Sequence, residues 1–293
     1  MNAESGTARA DHSPTAFVLA GGGSFGAVQV GMLRALTAHG VVPDLVVGSS
    51  VGAINGAFFA GAPGSEGVAQ LEAIWCGLHR QEVFPFTWRC LVGLLRRRNF
   101  VVDPGGLRGV LERYLQFREL EHAALPLHVV ATDQLGGGTV RLSSGPAVEA
   151  VLASCAIPAA FPPVFIGERY LIDGAVASNT PIGVAVELGA KRIVVLPTGF
   201  ACALEAPPRG VIASALHAIT LLVAHQLVAD IELYRERAEI ITVPPLCPLS
   251  VSPYDFSQAG DMIERASEQT GRWLDKGGLS RERVPGALRG HTH

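Results

Sequence analysis

One serine in this sequence lies where a nucleophile would be activated. It is Ser50, in the run Gly48-Ser49-Ser50-Val51-Gly52, which fits the pattern Gly-x-Ser-x-Gly. The short apolar stretch Leu45–Val47 precedes it, as in a buried strand, and a helix rich in small residues follows. The pattern predicts a sharp strand-to-helix turn at the serine, with Gly48 and Gly52 allowing close packing of helix against strand. Free N–H groups and the dipole at the helix N-terminus would stabilise negative charge that develops there.

A glycine cluster comes before this serine, directly after the apolar stretch Ala16–Ala20. It reads Gly21-Gly22-Gly23-Ser24-Phe25-Gly26, and its spacing also fits the Gly-x-Gly-x-x-Gly loop of dinucleotide-binding proteins. The same loop would alternatively direct backbone N–H groups at the oxyanion of an acyl-transfer intermediate. A nicotinamide-binding unit needs an acid at the end of its second strand, but Asp44 precedes that strand here and Ser50 follows it. We predict the oxyanion role and keep dinucleotide binding as the alternative.

A nucleophilic serine needs a base, and the sequence favours Asp173. It follows the apolar run Tyr170-Leu171-Ile172 and precedes Gly174-Ala175. An acid directly after a strand of a parallel sheet lies at the carboxyl edge, where we also expect the serine turn and the glycine loop. A capping role for the Asp-Gly pair is the alternative. No histidine follows a strand in a small-residue loop, as in a Ser-Asp-His triad, and a triad through His217 or His225 is kept only as an alternative.

The elements around these residues predict an α/β fold. Two strand–helix units in the first sixty residues indicate a parallel sheet with right-handed crossovers. Further strands are predicted at Leu127–Thr132, Val140–Leu142, Tyr170–Ile172, Arg192–Leu196 and Ile240–Val243, and further helices at Ala147–Ser154, Ile182–Leu188, Val211–Arg235 and Phe256–Leu274. We predict a three-layer α/β/α fold with a mostly parallel central sheet. Residues 1–14 would form a flexible tail, 15–245 the domain, and 246–293 a C-terminal helix packed on that domain plus a loose tail.

Composition excludes several classes of protein. The chain has 293 residues, of which 48% are hydrophobic and 17% charged, and its net charge of -3 argues against nucleic-acid binding. Five scattered cysteines indicate no disulfide framework, and the first fourteen residues lack the apolar centre of a signal peptide. Polar residues interrupt Val211–Val228, so a buried helix explains it better than a membrane span. We predict a cytoplasmic protein with no metal or cofactor.

Three motifs, in this order and spacing, resemble the signature elements of the patatin-like phospholipase family. They are the glycine loop Gly21–Gly26, the serine turn Gly48–Gly52 and the run Asp173-Gly174-Ala175. The run Ala153-Ser154-Cys155-Ala156-Ile157-Pro158 is also similar to a segment found upstream of the family's aspartate. The resemblance extends over about residues 15 to 200.

The resemblance implies a patatin-like fold and a Ser50–Asp173 dyad that needs no histidine. It implies hydrolysis of ester bonds in lipids through an acyl-enzyme, and an oxyanion hole formed by the glycine loop: Gly21, Gly22, Gly23, Ser24 and Gly26, with the amides of Gly22, Gly23 and Ser24 as donors. Gly174 and Ala175 would belong to the motif of the catalytic acid. The sequence departs from the family at Phe25, where many members carry Arg or Lys. A non-catalytic lipid-binding module on the same fold is a further alternative, against which the presence of both Ser50 and Asp173 argues.

A lipid or acyl-ester substrate implies contact with a membrane surface, and one segment offers a candidate for it. Phe84, Phe86 and Trp88 lie shortly before Arg96-Arg97-Arg98. Aromatic and basic residues of this kind would anchor at an anionic lipid surface. The alternative is a helix that packs its apolar residues inward and exposes its arginines. We expect peripheral contact with a membrane surface and keep both interpretations of this segment.

Overall fold

The computed structural model describes residues 13–78, 102–199, 211–249 and 255–280, together with Pro285. Within these residues eight strands form one sheet. The strands are β1 (Thr15–Leu19), β2 (Leu45–Ser49), β3 (Leu127–Asp133), β4 (Thr139–Leu142), β5 (Val164–Ile166), β6 (Arg169–Asp173), β7 (Arg192–Leu196) and β8 (Glu239–Thr242). The helices are α1 (Gly26–Ala38), α2 (Val51–Gly61), α3 (Ser65–Gly77), α4 (Gly105–Tyr114), α5 (Ala147–Ser154), α6 (Ala175–Ser178), α7 (Ile182–Glu187), α8 (Val211–Tyr234) and α9 (Ala259–Asp275).

The sheet is mostly parallel. Its strand order is β5-β6-β3-β2-β1-β7-β8, with β4 also paired to β3. Strands β1, β2, β3, β7 and β8 run parallel, whereas β4, β5 and β6 pair antiparallel. Every residue of β2 is buried, as expected of a central strand covered on both faces.

Helices cover both faces of the sheet because the central strands are apolar on both. In β1, Phe17 and Leu19 point into a core shared with α1, α2, α3 and α9. The alternate residues Ala16 and Val18 point into a second core, shared with α7 and α8. The predicted three-layer α/β/α fold with a mostly parallel central sheet is therefore confirmed.

The pairing of β3 explains how two segments distant in sequence meet. Residues 129–130 pair with both β2 and β4, so these strands lie on opposite edges of β3. Residues 131–132 pair with both β4 and β6, so β6 lies on the same edge as β2. The parallel strand β2 ends at Ser49, opposite Val130, and the antiparallel strand β6 ends at Asp173, opposite the next residue of β3. The carboxyl ends of β2 and β6 thus face each other along one edge of β3.

This arrangement corrects one prediction about Asp173. We expected it to follow a parallel strand, but β6 is antiparallel to β3. Because β6 enters from the carboxyl edge of the parallel strands and stops opposite Ala131, its last residue still reaches the end of β2. Asp173 therefore lies beside the serine turn for a different reason from the one the sequence suggested.

The C-terminal helix α9 packs closely on α1. A Cβ on Gly31 of α1 would overlap the carbonyl oxygen of Ile263 in α9. Arg34 of α1 donates to Glu72 of α3 at 3.1 Å and to Glu264 of α9 at 2.7 Å, so three helices are connected on this face. In the described ranges, no helix is both long and apolar enough to cross a membrane.

Candidate active site

Ser50 occupies a strained turn between β2 and α2. Its φ of 53° and ψ of -126° are rare for a residue with a side chain and cost about 1–3 kcal/mol, so the surrounding structure must hold them. Glycines on both sides of Ser50 allow β2, the turn and α2 to pack this closely. A Cβ on Gly48 would overlap the Gly52 carbonyl, and one on Gly52 would overlap the Leu19 carbonyl. The turn directs the Ser50 hydroxyl toward the end of β6.

The hydroxyl of Ser50 donates a hydrogen bond to Asp173. The distance from Ser50 Oγ to Asp173 Oδ2 is 2.7 Å, and both side chains are buried, with exposed fractions of 8% and 3%. The other carboxylate oxygen, Oδ1, accepts from the Ala175 amide at 2.8 Å. Thr132 Oγ1 donates to the Asp173 carbonyl oxygen at 2.8 Å, which fixes the backbone of the acid to β3.

Burial makes Asp173 a stronger base than an ordinary aspartate. Desolvation raises the pKa of Asp173 from 3.8 to about 6, although the hydrogen bonds from Ala175 and Ser50 act in the opposite direction. A carboxyl with a pKa near 6 is still mostly ionised at pH 7 and is better matched to proton transfer at that pH. Burial, together with the Asp173 charge, raises the pKa of the neighbouring Cys155 thiol, which therefore stays protonated.

Ser154, the last residue of α5, contacts the backbone of the serine turn. Its Oγ accepts a hydrogen bond from the Ser50 amide at 2.9 Å and donates to the Val130 carbonyl at 2.5 Å. Its own carbonyl oxygen accepts from the Gly174 amide at 3.1 Å. Without the Ser154 hydroxyl the buried Ser50 amide would lack an acceptor. A buried amide without a hydrogen bond costs about 1–3 kcal/mol.

The glycine loop passes directly over Ser50. A Cβ on Gly21 would lie 3.0 Å from Ser50 Cβ, so the loop approaches the serine as closely as backbone allows. The Gly21 amide donates to the Asn179 carbonyl at 3.1 Å, and the Gly26 amide is bonded within the loop. Among the described residues, the amides of Gly22 and Gly23 meet no acceptor. Of the five predicted loop residues, Gly21 and Gly26 therefore serve packing and turn geometry, and their amides are engaged within the protein.

Phe25 belongs to the hydrophobic core. Its side chain has no exposed surface and packs with the apolar residues between the sheet and α1. It does not line the cavity at Ser50. The position where many members of the resembled family carry a cation is here part of the packing beneath the loop.

A buried polar chain holds both ends of the glycine loop. Gln29 Nε2 donates to the carbonyl oxygens of Ala20, at 2.8 Å, and Leu196. Asn55 Nδ2 donates to the Gly26 carbonyl and to Gln29 Oε1, both at 2.9 Å. Trp75 Nε1 in turn donates to Asn55 Oδ1 at 2.8 Å. Since these groups are buried and bonded to one another, they fix the loop relative to α2 and α3.

An apolar cavity of about 60 Å³ opens at Ser50. Ser50 and Gly23 lie on its wall, and most of the remaining lining is hydrophobic, including Ile54, Phe58, Ile74, Trp75 and Phe256. In the part of the chain that the structure describes, no histidine and no charged side chain lines this cavity. The arrangement suits an uncharged, apolar chain placed against the Ser50 hydroxyl.

The fold and this site define a class of α/β proteins with a serine on a strained strand-to-helix turn beside a buried aspartate. The model of the patatin-like phospholipase family matches residues 17–186, which is more than half of the chain. The chain belongs to the patatin-like phospholipase family. The match includes the glycine loop, the serine turn and Asp173.

Known relatives extend well beyond the region they share with this chain. Patatin-like phospholipase domain-containing protein 7 of Mus musculus is 28% identical over 186 residues, covering 63% of this chain and 13% of its own length. An uncharacterised NTE family protein of Mycobacterium tuberculosis is 30% identical over 168 residues, covering 57% of this chain and 27% of its own length. Human GIVD cytosolic phospholipase A2, solved with a fluorophosphonate inhibitor, matches with a TM-score of 0.50 at 12% identity, covering 95% of this chain and 60% of that one. At 12% identity, the match to this solved structure shows a similar fold only.

Some residues of the site were not predicted from the sequence. Ser154 lies in the run Ala153–Pro158, which the family resemblance pointed to without giving it a role. Gln29, Asn55 and Asn179 had no signal, because a buried amide is recognised only once its partners are placed. The aromatic and basic segment proposed as a lipid anchor, Phe84 to Arg98, lies outside the described residues.

Proposed function

We propose that this chain hydrolyses ester bonds of lipids, with Ser50 as nucleophile and Asp173 as its base. The observation that carries the proposal is the 2.7 Å hydrogen bond between the Ser50 hydroxyl and the buried Asp173 carboxylate, at the wall of an apolar cavity. Family membership supports the reaction class, since the family model is that of a phospholipase. Both proposed groups lie within the residues that the model matches.

In the first step, Ser50 Oγ attacks the carbonyl carbon of the ester while its proton passes to Asp173 Oδ2. The carbonyl oxygen becomes an oxyanion, which the amides of Gly22, Gly23 and Ser24 and the N-terminus of α2 would stabilise. One donor of this kind typically contributes about 2.7–4 kcal/mol to transition-state stabilisation. Asp173 then returns the proton to the leaving alcohol, and the acyl group stays on Ser50.

In the second step, water attacks the acyl-enzyme. Asp173, ionised again after the alcohol leaves, accepts a proton from that water and passes it to Ser50 Oγ as the tetrahedral intermediate breaks down to the free fatty acid and the Ser50 hydroxyl. Burial supports both steps because it raises the basicity of the carboxylate.

The apolar lining of the cavity supports a fatty acyl group as the part of the substrate that the site binds. A substrate of this kind resides in membranes or micelles. We therefore propose that the protein contacts a membrane surface peripherally, and the scattered cysteines support our proposal that it does so in the cytoplasm.

Two alternatives are less well supported. A dinucleotide would need its pyrophosphate next to the glycine loop, but the loop backbone already lies against Ser50 and Thr198. A non-catalytic lipid-binding module would have no need for a buried carboxylate hydrogen-bonded to a strained serine, since both features cost stability.

A fluorophosphonate probe tests the proposal directly. We expect covalent modification of Ser50 in the wild-type chain, detected by peptide mass spectrometry, and release of fatty acid from a panel of phospholipids, lysophospholipids and glycerides. Ser50→Ala should abolish both labelling and release, and Asp173→Asn should lower the rate of release by several orders of magnitude. Circular dichroism would verify that both variants are folded.

Two results would contradict the proposal. Substantial turnover by folded Ser50→Ala would assign the chemistry to another residue. Quenching of protein fluorescence by NAD, without labelling of Ser50, would favour the dinucleotide alternative.

A further inference from the structure

Ser154 lies between the two chain segments that carry Ser50 and Asp173. Its side chain is fully buried at the carboxyl end of α5. Through Oγ it is bonded to the Ser50 amide and to the Val130 carbonyl, and through its carbonyl oxygen to the Gly174 amide. One residue thus contacts the serine turn, the strand β3 beside it, and the chain directly after the acid.

The chemistry of the partners fixes the direction of each hydrogen bond. The Ser50 amide can only donate and the Val130 carbonyl can only accept, so the Ser154 proton must point to Val130. A hydroxyl is the smallest group that accepts from one partner and donates to the other. Alanine at this position would leave both partners without a bond in a site that water does not reach.

A second residue of the same segment, Ala156, holds the backbone of Asp173. The carbonyl oxygen of Ala156 accepts from the Asp173 amide at 3.0 Å. The end of α5 and the turn after it therefore hold the backbone on both sides of the Ser50–Asp173 hydrogen bond. Strands β2 and β6 do not pair with each other but both pair with β3, so the end of α5 adds a second link between their ends.

We propose that Ser154 is a positioning residue that keeps Ser50 in its turn conformation and its hydroxyl within hydrogen-bond distance of Asp173. The proposal rests on the function proposed above and names a residue that supports the reaction without touching the substrate. Ser154 does not line the cavity at Ser50, so its loss should affect the chemical step and leave substrate binding unchanged.

The test is Ser154→Ala, assayed on the lipid that the wild-type chain hydrolyses best. We expect kcat to fall by about 10- to 100-fold, as for the loss of one buried hydrogen bond at a reacting group, with KM unchanged within about twofold. The acid limb of the pH profile should move to higher pH, because the Ser50 hydroxyl helps to lower the pKa of Asp173. A residue that merely stabilised the fold would change neither kcat per active site nor this limb.

Two variants serve as controls. Ser49→Ala removes a buried hydroxyl from the adjacent residue, and the Ser49 hydroxyl has no hydrogen-bond partner among the described residues. We expect it to keep kcat within about twofold of wild type. Ser154→Thr retains a hydroxyl and should recover most of the kcat lost in Ser154→Ala.

The number of active sites would be counted by fluorophosphonate titration, so a partly unfolded sample does not imitate a low kcat. If Ser154→Ala does not fold, Ser154→Cys decides, because its sulfur fills the space but accepts hydrogen bonds weakly. Folded Ser154→Ala, or Ser154→Cys in its place, with wild-type kcat and an unmoved acid limb would overturn the proposal.

A measurement that needs no turnover separates this proposal from the proposed function. Amide hydrogen exchange at Ser50 should be at least about 10-fold faster in Ser154→Ala than in wild type, since the amide loses its acceptor. A wild-type chain that hydrolyses no lipid and reacts with no probe rejects the proposed function, whatever the exchange rate. Unchanged protection of the Ser50 amide in Ser154→Ala rejects the positioning role, whatever the activity.

Discussion

Asp173 combines two properties that rarely occur together in one side chain. It is almost completely buried, yet its carboxylate oxygens accept hydrogen bonds from only two groups that the structure describes, the Ser50 hydroxyl and the Ala175 amide. Hydrogen bonds from several backbone amides lower the pKa of a carboxylate, but only one backbone amide of the described residues reaches this carboxylate and desolvation dominates. The pKa of Asp173 is therefore about two units higher than that of a free aspartate.

The pH dependence of the rate should reveal this base. We expect kcat/KM to rise with pH and to level off above an apparent pKa of about 6, because only the ionised Asp173 accepts the Ser50 proton. The limb should move little on warming, since carboxyl ionisation has a small enthalpy, whereas an imidazole limb moves clearly to lower pH. The measurement is an initial-rate profile from pH 4.5 to 9 at two temperatures.

A histidine triad would give a different profile. Replacing His217 or His225 should leave the limb in place. Its disappearance in either variant would contradict the Ser50–Asp173 assignment.

At the scale of elements, local sequence patterns predicted the bounds of several strands and helices but not the direction of every strand. The bounds of β7 and α5 agree with the predicted Arg192–Leu196 and Ala147–Ser154, because each is a short apolar segment with clear limits. The antiparallel direction of β6 could not be predicted, since strand direction depends on which strand becomes the partner. The apolar run before Asp173 would look the same in either direction.

The same limit applies to the site. Ser50, the glycine loop and Asp173 each have a local pattern, so their candidate roles follow from the sequence. The buried chain of Gln29, Asn55 and Trp75 links three helices and the sheet, and its residues are far apart in sequence. Nothing local distinguishes those amides from surface ones.

The contact between α1 and α9 leads to a prediction about two helical glycines. Gly31→Ala should destabilise the protein by about 1–3 kcal/mol, because the added methyl would overlap the Ile263 carbonyl and crowd Ala266. Gly109→Ala, inside α4, should stabilise it by about 0.5–1 kcal/mol, because no atom lies within 4 Å of the added Cβ. Thermal unfolding of the two variants should therefore shift in opposite directions. Equal shifts would show that α9 does not pack on α1 as described.

At the scale of the whole molecule, the raised pKa of Asp173 is a cost to folding. Between about pH 4 and pH 6 the folded chain holds this proton and the unfolded chain releases it, so stability falls as pH rises through that window. Above pH 6 the loss is complete, and a shift of this size corresponds to an order of 3 kcal/mol. Below pH 4 both states are protonated and the cost vanishes.

Asp173→Asn should therefore be more stable than wild type at pH 8, by an order of 2–3 kcal/mol, and should lose this advantage below pH 4. Urea unfolding of both proteins at the two pH values would measure it. Asp133→Asn is the control of opposite sign, because hydrogen bonds from the Gly136 and Leu135 amides lower the pKa of Asp133. An advantage of Asp173→Asn that is independent of pH would contradict the assigned pKa.

The end-to-end meeting of β2 and β6 has a consequence for how freely the chain can vary. The 122 positions between Ser50 and Asp173 include four helices in the described ranges, α2 to α5, and long connections, yet the spacing of the two strand ends follows from their pairing with β3. Ser49 pairs with Val130 and Asp173 pairs with Ala131, and adjacent residues of a strand are about 3.3 Å apart. The two strand ends are therefore held one residue apart along β3. Lengthening or replacing the connections leaves this interval unchanged. Pairing with β3 thus sets the spacing of the two strand ends, and the parts of the intervening chain that make no contact with the site, unlike Asn55, Trp75 and Ser154, are open to change in length and sequence.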